Sequence, residues 1–319
     1  MVERIAAQVL FDPQDSGLAF LPEGPYSLGE GRFSWVAIQH GADSSVGSIN
    51  IFDTSAQHNN SFELPGRPGF AFPTDQPGVF VAGVEHALGI MNTNNGEWVP
   101  FAEGIDDGVN NTIINDGITF DGNLLFGCKD LEFQTAKAGL YLWRGADQSL
   151  IKLRNDQTCS NGKALVRSGR ELTLIDIDTP TKQVVRYPLD VEAGTLGARE
   201  VLVDFTSEER FPDGMILTPD GTGFIIAWYN PFDVAAGEAV QYDLSTGEAT
   251  CIWECAAAPQ VTCPQLIRLN GTIKLVLTTA VEHSAAERRD AYPNLGKLFI
   301  ADTPFTSTGD QPVFPVPTW

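Results

Sequence analysis

The chain has 319 residues, 43% hydrophobic and 19% charged, with 41 acidic against 20 basic side chains and a net charge of −21. That apolar content supports a sizeable core and excludes wholesale disorder. The acidic balance, with no Lys/Arg run, argues against nucleic acid or an anionic membrane surface as partner.

No window approaches about 18 uninterrupted apolar residues, so no membrane span is expected. The opening stretch MVERIAAQVLFDPQD lacks the basic start and apolar core of a signal peptide. Five cysteines, an odd number with no zinc-like spacing, fit a reduced, cytoplasmic protein. From there, short runs rich in β-branched and aromatic residues follow one another. They are FSWVAI (33–38), SINIF (48–52), VFVAGV (79–84), LGIMN (88–92), NLLFGC (123–128) and GLYLWR (139–144). ELTLIDI (171–177), KQVVRYPL (182–189), GFIIAWY (223–229), AVQYDL (239–244), KLVLTTAV (274–281) and KLFIAD (297–302) continue the series. Clusters of Gly, Asn, Asp or Pro separate most of them, the pattern of strands and tight turns. Only HSAAERRDA (283–291) suggests a turn of helix.

The strands repeat in pairs. Turn, apolar run, turn, apolar run reads out as NDGITFDGNLLFG (115–127), SNGKALVRSGRELTLIDI (160–177) and PDGMILTPDGTGFIIAWY (212–229). With Asp116, Asn161 and Asp213 as equivalent starts the spacings are 45 and 52 residues, and Pro264 opens another unit 51 further on. Earlier units open at Pro68 and Glu23. A period of about 40–50 residues with four strands per unit predicts propeller blades. The expected fold is therefore all-β, a six-bladed β-propeller forming a single domain over residues 1–319. Its ring is closed by the N-terminal strand (3–12) pairing with the C-terminal blade (297–305), which removes free edges.

LPEGP (21–25) followed by FSWVAI, then NDG (115–117) with NLLFG, SNG (160–162) with ELTLIDIDTPTKQVVRY, and PDGM (212–215) stand in this order over nearly the whole chain. Together they resemble the gluconolactonase, regucalcin (senescence marker protein) and luciferin-regenerating enzyme family of six-bladed propellers. The resemblance implies a metal held by Glu23, Asn161 and Asp213. It also implies substrate contacts from Asn115, Asp116 and Glu132, and a catalytic role for Asp213. The donors are two carboxylates and an amide oxygen, a hard set suited to one divalent cation. Ca²⁺ comes first, with Mg²⁺, Mn²⁺, Zn²⁺ or Fe²⁺ as alternatives. Glu30 in LGEGR is a second candidate for the first-blade ligand, but its flanking glycines read as a hairpin turn, which favours Glu23. One departure concerns the substrate: the family's R-x-N-D-G is IINDG here, with Ile113 in the Arg position and Lys129 and Asp130 replacing other residues nearby.

The expected activity is metal-dependent opening of a sugar-type lactone, acting on a small molecule as a monomer or weak homodimer. Ile113 in place of Arg keeps open a less polar ester or phosphotriester as substrate. A calcium-binding propeller without catalysis is the reading of a different class. Neither a G-x-S-x-G nucleophile elbow nor a phosphate-binding glycine loop occurs. His86, after VFVAGVE, either lines the channel or is a surface or capped residue, the commoner state of a lone histidine.

Overall fold

The computed structural model describes residues 2–317. The described residues pack as two compact units, 2–67 with 208–311, and 68–207 with 312–317. The first unit begins with β1 (Glu3–Phe11), β2 (Pro22–Ser27), β3 (Arg32–Ala37), β4 (Ser48–Asp53) and β5 (His58–Glu63). The second holds β6 (Pro68–Pro73), β7 (Val79–Val84), β8 (Ala87–Asn92) and β9 (Glu97–Ala102), then β10 (Thr112–Phe120), β11 (Asn123–Asp130), β12 (Ala138–Arg144) and β13 (Ser149–Gln157). It continues with β14 (Ser160–Ser168), β15 (Glu171–Asp178), β16 (Gln183–Asp190), β17 (Thr195–Leu196) and β18 (Glu200–Asp204). The first unit resumes with β19 (Phe211–Leu217), β20 (Gly223–Tyr229), β21 (Ala236–Asp243) and β22 (Ala249–Ala256). It ends with β23 (Val261–Leu269), β24 (Thr272–Thr279), the helix α1 (Ala286–Ala291) and β25 (Leu298–Asp302).

The fold is all-β and propeller-like. Antiparallel sheets run β2-β3-β4-β5, β6-β7-β8-β9, β10-β11-β12-β13 and β14-β15-β16-β17, with β18 also on β16. Sequence chemistry sets the hairpins. Asp121-Gly122 and Asn270-Gly271 both take positive φ at both residues, the two-residue turn that suits the twist of β10–β11 and β23–β24. Burial falls along each sheet: β7 and β11 are buried throughout, whereas β5 and β9 are largely exposed. The apolar runs are therefore inner strands, and the polar fourth strands cover the edge.

The remaining sheet corrects the expectation of six separate blades. Its order is β19-β20-β21-β22-β1-β25-β24-β23, so the described residues form five sheets. β1 causes the fusion. Glu3–Ala7 lie parallel to β22, and Gln8–Phe11 then pair antiparallel with β25. The expected pairing of the N-terminal strand with the C-terminal strands is present as β1–β25, and the same strand also satisfies the edge of β22. Trp253, Phe299, Leu277 and Ala7 fill the core of this sheet.

One irregularity recurs in six strands. Register shifts fall between Glu23 and Tyr26 in β2, Pro68 and Phe70 in β6, and Ile114 and Asp116 in β10. They fall between Asn161 and Lys163 in β14, Pro212 and Met215 in β19, and Val261 and Pro264 in β23. Each is a β-bulge, which re-aims side chains at one point of a strand.

Candidate active site

In the second unit the bulges of β6, β10 and β14 lie side by side. A Cβ on Gly69 would stand 2.6 Å from the Ile114 carbonyl oxygen and 2.8 Å from the Asn115 carbonyl carbon, so only glycine permits this approach of β6 to β10. Asn115 is the extra residue of the β10 bulge. Its Nδ2 donates to the Ser160 carbonyl at 2.8 Å and to Asn161 Oδ1 at 3.1 Å. Asn161 Nδ2 donates in turn to Thr179 Oγ1 at 2.9 Å. The fold thus brings Asn115 and Asn161 together and leaves their amides in a fixed orientation.

Beneath them is a buried ion pair absent from the sequence-level candidates. Lys163 Nζ donates to the Asn161 carbonyl at 2.7 Å and lies 3.5 Å from Asp176 Oδ1. Both side chains are at most 1% exposed. Burial pushes the Asp176 carboxyl up to about 6, against the opposing pull of Lys163. Asp116 accepts the Gly117 N–H at 2.7 Å. Burial raises its carboxyl too, with Lys163 and that hydrogen bond opposing. A charged residue within each apolar run, Lys163 in SNGKALV and Asp176 in ELTLIDI, was the available signal. Glu132 lies outside this group: it is exposed, and its Oε1 accepts from Asn111 Nδ2 at 3.3 Å. His86, in the β7–β8 turn, is bonded through Nδ1 to the Ile105 carbonyl oxygen at 2.8 Å. Ile113 is fully buried.

In the first unit the bulges of β19, β23 and β2 form a second such row. Thr262 Oγ1 donates to the Pro22 carbonyl at 2.7 Å, and Gln265 Nε2 to the Pro25 carbonyl at 3.2 Å. On the other side a Cβ on Gly214 would stand 2.6 Å from Cys263 Sγ and 2.8 Å from the Thr262 carbonyl oxygen. Glu23 and Asp213 therefore occupy the two strands flanking β23. Glu23 is half-buried beside Gly24, whose φ is +49°, and its Oε2 accepts the Gly24 N–H at 2.9 Å. Asp213 is 7% exposed. Burial drives the phenol of Tyr229 well above its ordinary value, and the carboxylates of Glu282 and Asp213 add to that rise. Glu30, by contrast, is exposed in the β2–β3 turn and accepts the Asn270 N–H at 2.5 Å.

Among the described residues no three His, Cys, Asp or Glu side chains gather as a metal-binding group. The expected ligand set has two carboxylates, on the first unit, and an amide, on the second. As donor chemistry the two carboxylates of the first unit, Glu23 and Asp213, suit a hard divalent cation.

The family model described as the SMP-30/Gluconolactonase/LRE-like region matches residues 21–281. The chain belongs to this family. "Putative sugar lactone lactonase YvrE" of Bacillus subtilis is 31% identical over 196 residues, 60% of this chain and 61% of its own. The chain thus spans about three fifths of that relative's length. Among solved structures, a calcium-binding regucalcin from Agrobacterium tumefaciens superposes with a TM-score of 0.81 at 22% identity, covering 98% of this chain and 99% of its own. A gluconolactonase from Xanthomonas campestris gives 0.66 at 13% identity, covering 93% and 89%. At such identities these structures share the fold.

Proposed function

We propose that this family member is a divalent-metal-dependent lactonase acting on a sugar-type lactone. The recurring bulge carries the reading. The six first strands share one irregularity, and Glu23, Asn115, Asn161 and Asp213 all stand on or beside it. Family membership and the similarity to a protein named as a sugar lactone lactonase support the same chemistry. Read as two four-strand units, β19–β22 and β23–β25 with β1, the eight-stranded sheet is compatible with a six-bladed propeller, the fold this reading assumes.

Glu23, Asp213 and Asn161 are the residues assigned to the cation. When bound, a divalent cation supplies Lewis acidity towards a carbonyl oxygen and lowers the pKa of water. Hydrolysis adds water across the ring ester: hydroxide joins the acyl carbon, the C–O bond to the ring oxygen breaks, and that oxygen leaves as a hydroxyl. Asp213 takes the proton from the attacking water and passes it to the leaving ring oxygen, as a carboxylate within reach of the reacting centre can. Asn115, its amide fixed by Ser160 and Asn161, presents its remaining oxygen lone pairs to substrate hydroxyls, with the adjacent Asp116 assigned to orient the same molecule.

A lactone panel assayed by proton release, on protein stripped with chelator and then given single divalent cations, tests this reading. Turnover of an aldonolactone that vanishes on stripping and returns with a cation supports it; turnover indifferent to chelation sinks it. The buried Ile113 favours a second reading, a less polar ester or phosphotriester as substrate, so aryl esters and phosphotriesters belong in the panel.

A further inference from the structure

Lys129 is the penultimate residue of the inner strand β11, directly opposite Ile113 on β10. It forms a β-bridge with Cys159, two residues before Asn161, and the Asn115 amide lies 3.8 Å from that cysteine's sulfur. The side chain therefore belongs to the end of the sheet where the Asn115 and Asn161 segments converge. Lys129 is only 4% exposed. Its ammonium lies 5.6 Å from the centroid of the Phe133 ring, and among the described residues no carboxylate comes within ion-pair reach of it. The neighbouring Asp130 is committed elsewhere, to Lys137 at 2.9 Å and to the N–H groups of Thr135, Glu132 and Gln134. The other deeply buried lysine, Lys163, has Asp176.

A lysine this deeply buried ordinarily has an anionic partner, and an anion bound here would complete the pair. Lysine offers a compact point charge rather than a fork, which suits one anionic group more than a spread of hydroxyls. We propose that Lys129 is a specificity-determining residue that binds a carboxylate or phosphate on the substrate, so that the preferred lactone is anionic rather than neutral. This rests on the lactonase reading above.

The test compares D-glucono-1,5-lactone (neutral), D-glucaro-1,4-lactone (carboxylate) and 6-phospho-D-glucono-1,5-lactone (phosphate) in wild type, Lys129→Met and Lys129→Arg, with melting temperatures to establish folding. Wild type is expected to favour one anionic lactone, which identifies the group. Lys129→Met should lower the ratio of its kcat/KM to that of the neutral lactone by about 10- to 100-fold, the scale of a charge-assisted hydrogen bond. Lys129→Arg should retain most of the preference. Equal turnover of all three lactones by wild type, or a ratio unchanged in Lys129→Met, overturns the proposal. If wild type turns over no lactone, the lactonase reading fails and calorimetry with glucarate and 6-phosphogluconate decides the anion site alone. Binding lost in Lys129→Met then upholds that site, and no binding by wild type, or binding unchanged in Lys129→Met, refutes it.

Discussion

Replacing Lys163 by Met leaves Asp176 buried without its counter-charge and removes the hydrogen bond that Lys163 gives the Asn161 carbonyl at 2.7 Å. Among the described residues Asp176 Oδ1 accepts no hydrogen bond, so the lysine 3.5 Å away is its compensation. Breaking a buried pair by removing one member costs about 3–5 kcal/mol. At about 2–4 °C per kcal/mol for a chain of this order, the melting temperature should fall by roughly 6–20 °C at pH 8. The pH dependence identifies the cause. Burial raises the Asp176 carboxyl to about 6 even with Lys163 present, and without it the carboxyl rises further. A carboxyl raised above its unfolded value costs stability only where it is ionised. That cost is absent below the unfolded value near 4 and grows as pH rises through the folded value. The deficit of Lys163→Met should therefore be greatest at pH 8 and shrink towards pH 5, measured by denaturant titration at each pH. Adding Asp176→Leu should recover part of the loss at pH 8. A deficit under about 1 kcal/mol, or one that is flat with pH, refutes the assignment of Lys163–Asp176 as a mutually dependent buried pair.

Gly69→Ala places a methyl 2.6 Å from the Ile114 carbonyl oxygen. The β10 backbone must shift, at a cost of about 1–3 kcal/mol read from thermal unfolding. Glu23→Gln should weaken divalent-cation binding at least tenfold by calorimetry, while Glu30→Gln, at an exposed turn, should leave both binding and stability within about 0.5 kcal/mol of wild type. Burial alone would raise the Asp130 carboxyl, but Lys137 and the N–H groups of Thr135, Glu132 and Gln134 hold it down at about 2. A carboxyl lowered in the fold stabilises above its unfolded value and loses that contribution as pH falls. Asp130→Asn should therefore narrow its gap from wild type as acid titration passes from about pH 4 to pH 2, read by circular dichroism.

Strands and turns were legible because alternation and D-G or N-G dipeptides are local signals, and Asp121-Gly122 and Asn270-Gly271 form the turns their residues favour. The role of β1 was only half legible. Pairing with the C-terminal strands follows from the need to cover an edge, but its parallel pairing with Cys251–Cys255 leaves no mark in a short apolar segment. Among the site residues, Asn115 and Asn161 were recognisable from motif order, and the fold joins them through one hydrogen bond. Glu132 was placed by counting from a strand end. A count cannot see that the chain turns at Phe133, with φ +53°, and leaves Glu132 exposed beside Asn111. None of the bulges is marked in the sequence, and the one at Thr262–Cys263 carries neither glycine nor motif, yet that strand lies between those bearing Glu23 and Asp213.

The central claim is that Asp213 and a divalent cation together drive lactone hydrolysis. The most direct measurement is kcat/KM for the best lactone of the panel, for wild type and Asp213→Asn, with saturating cation and after chelation. Asp213→Asn should lose at least about 100-fold with cation present, the scale of a lost general base, and chelated wild type should fall as far. A folded Asp213→Asn protein with undiminished kcat/KM would contradict it.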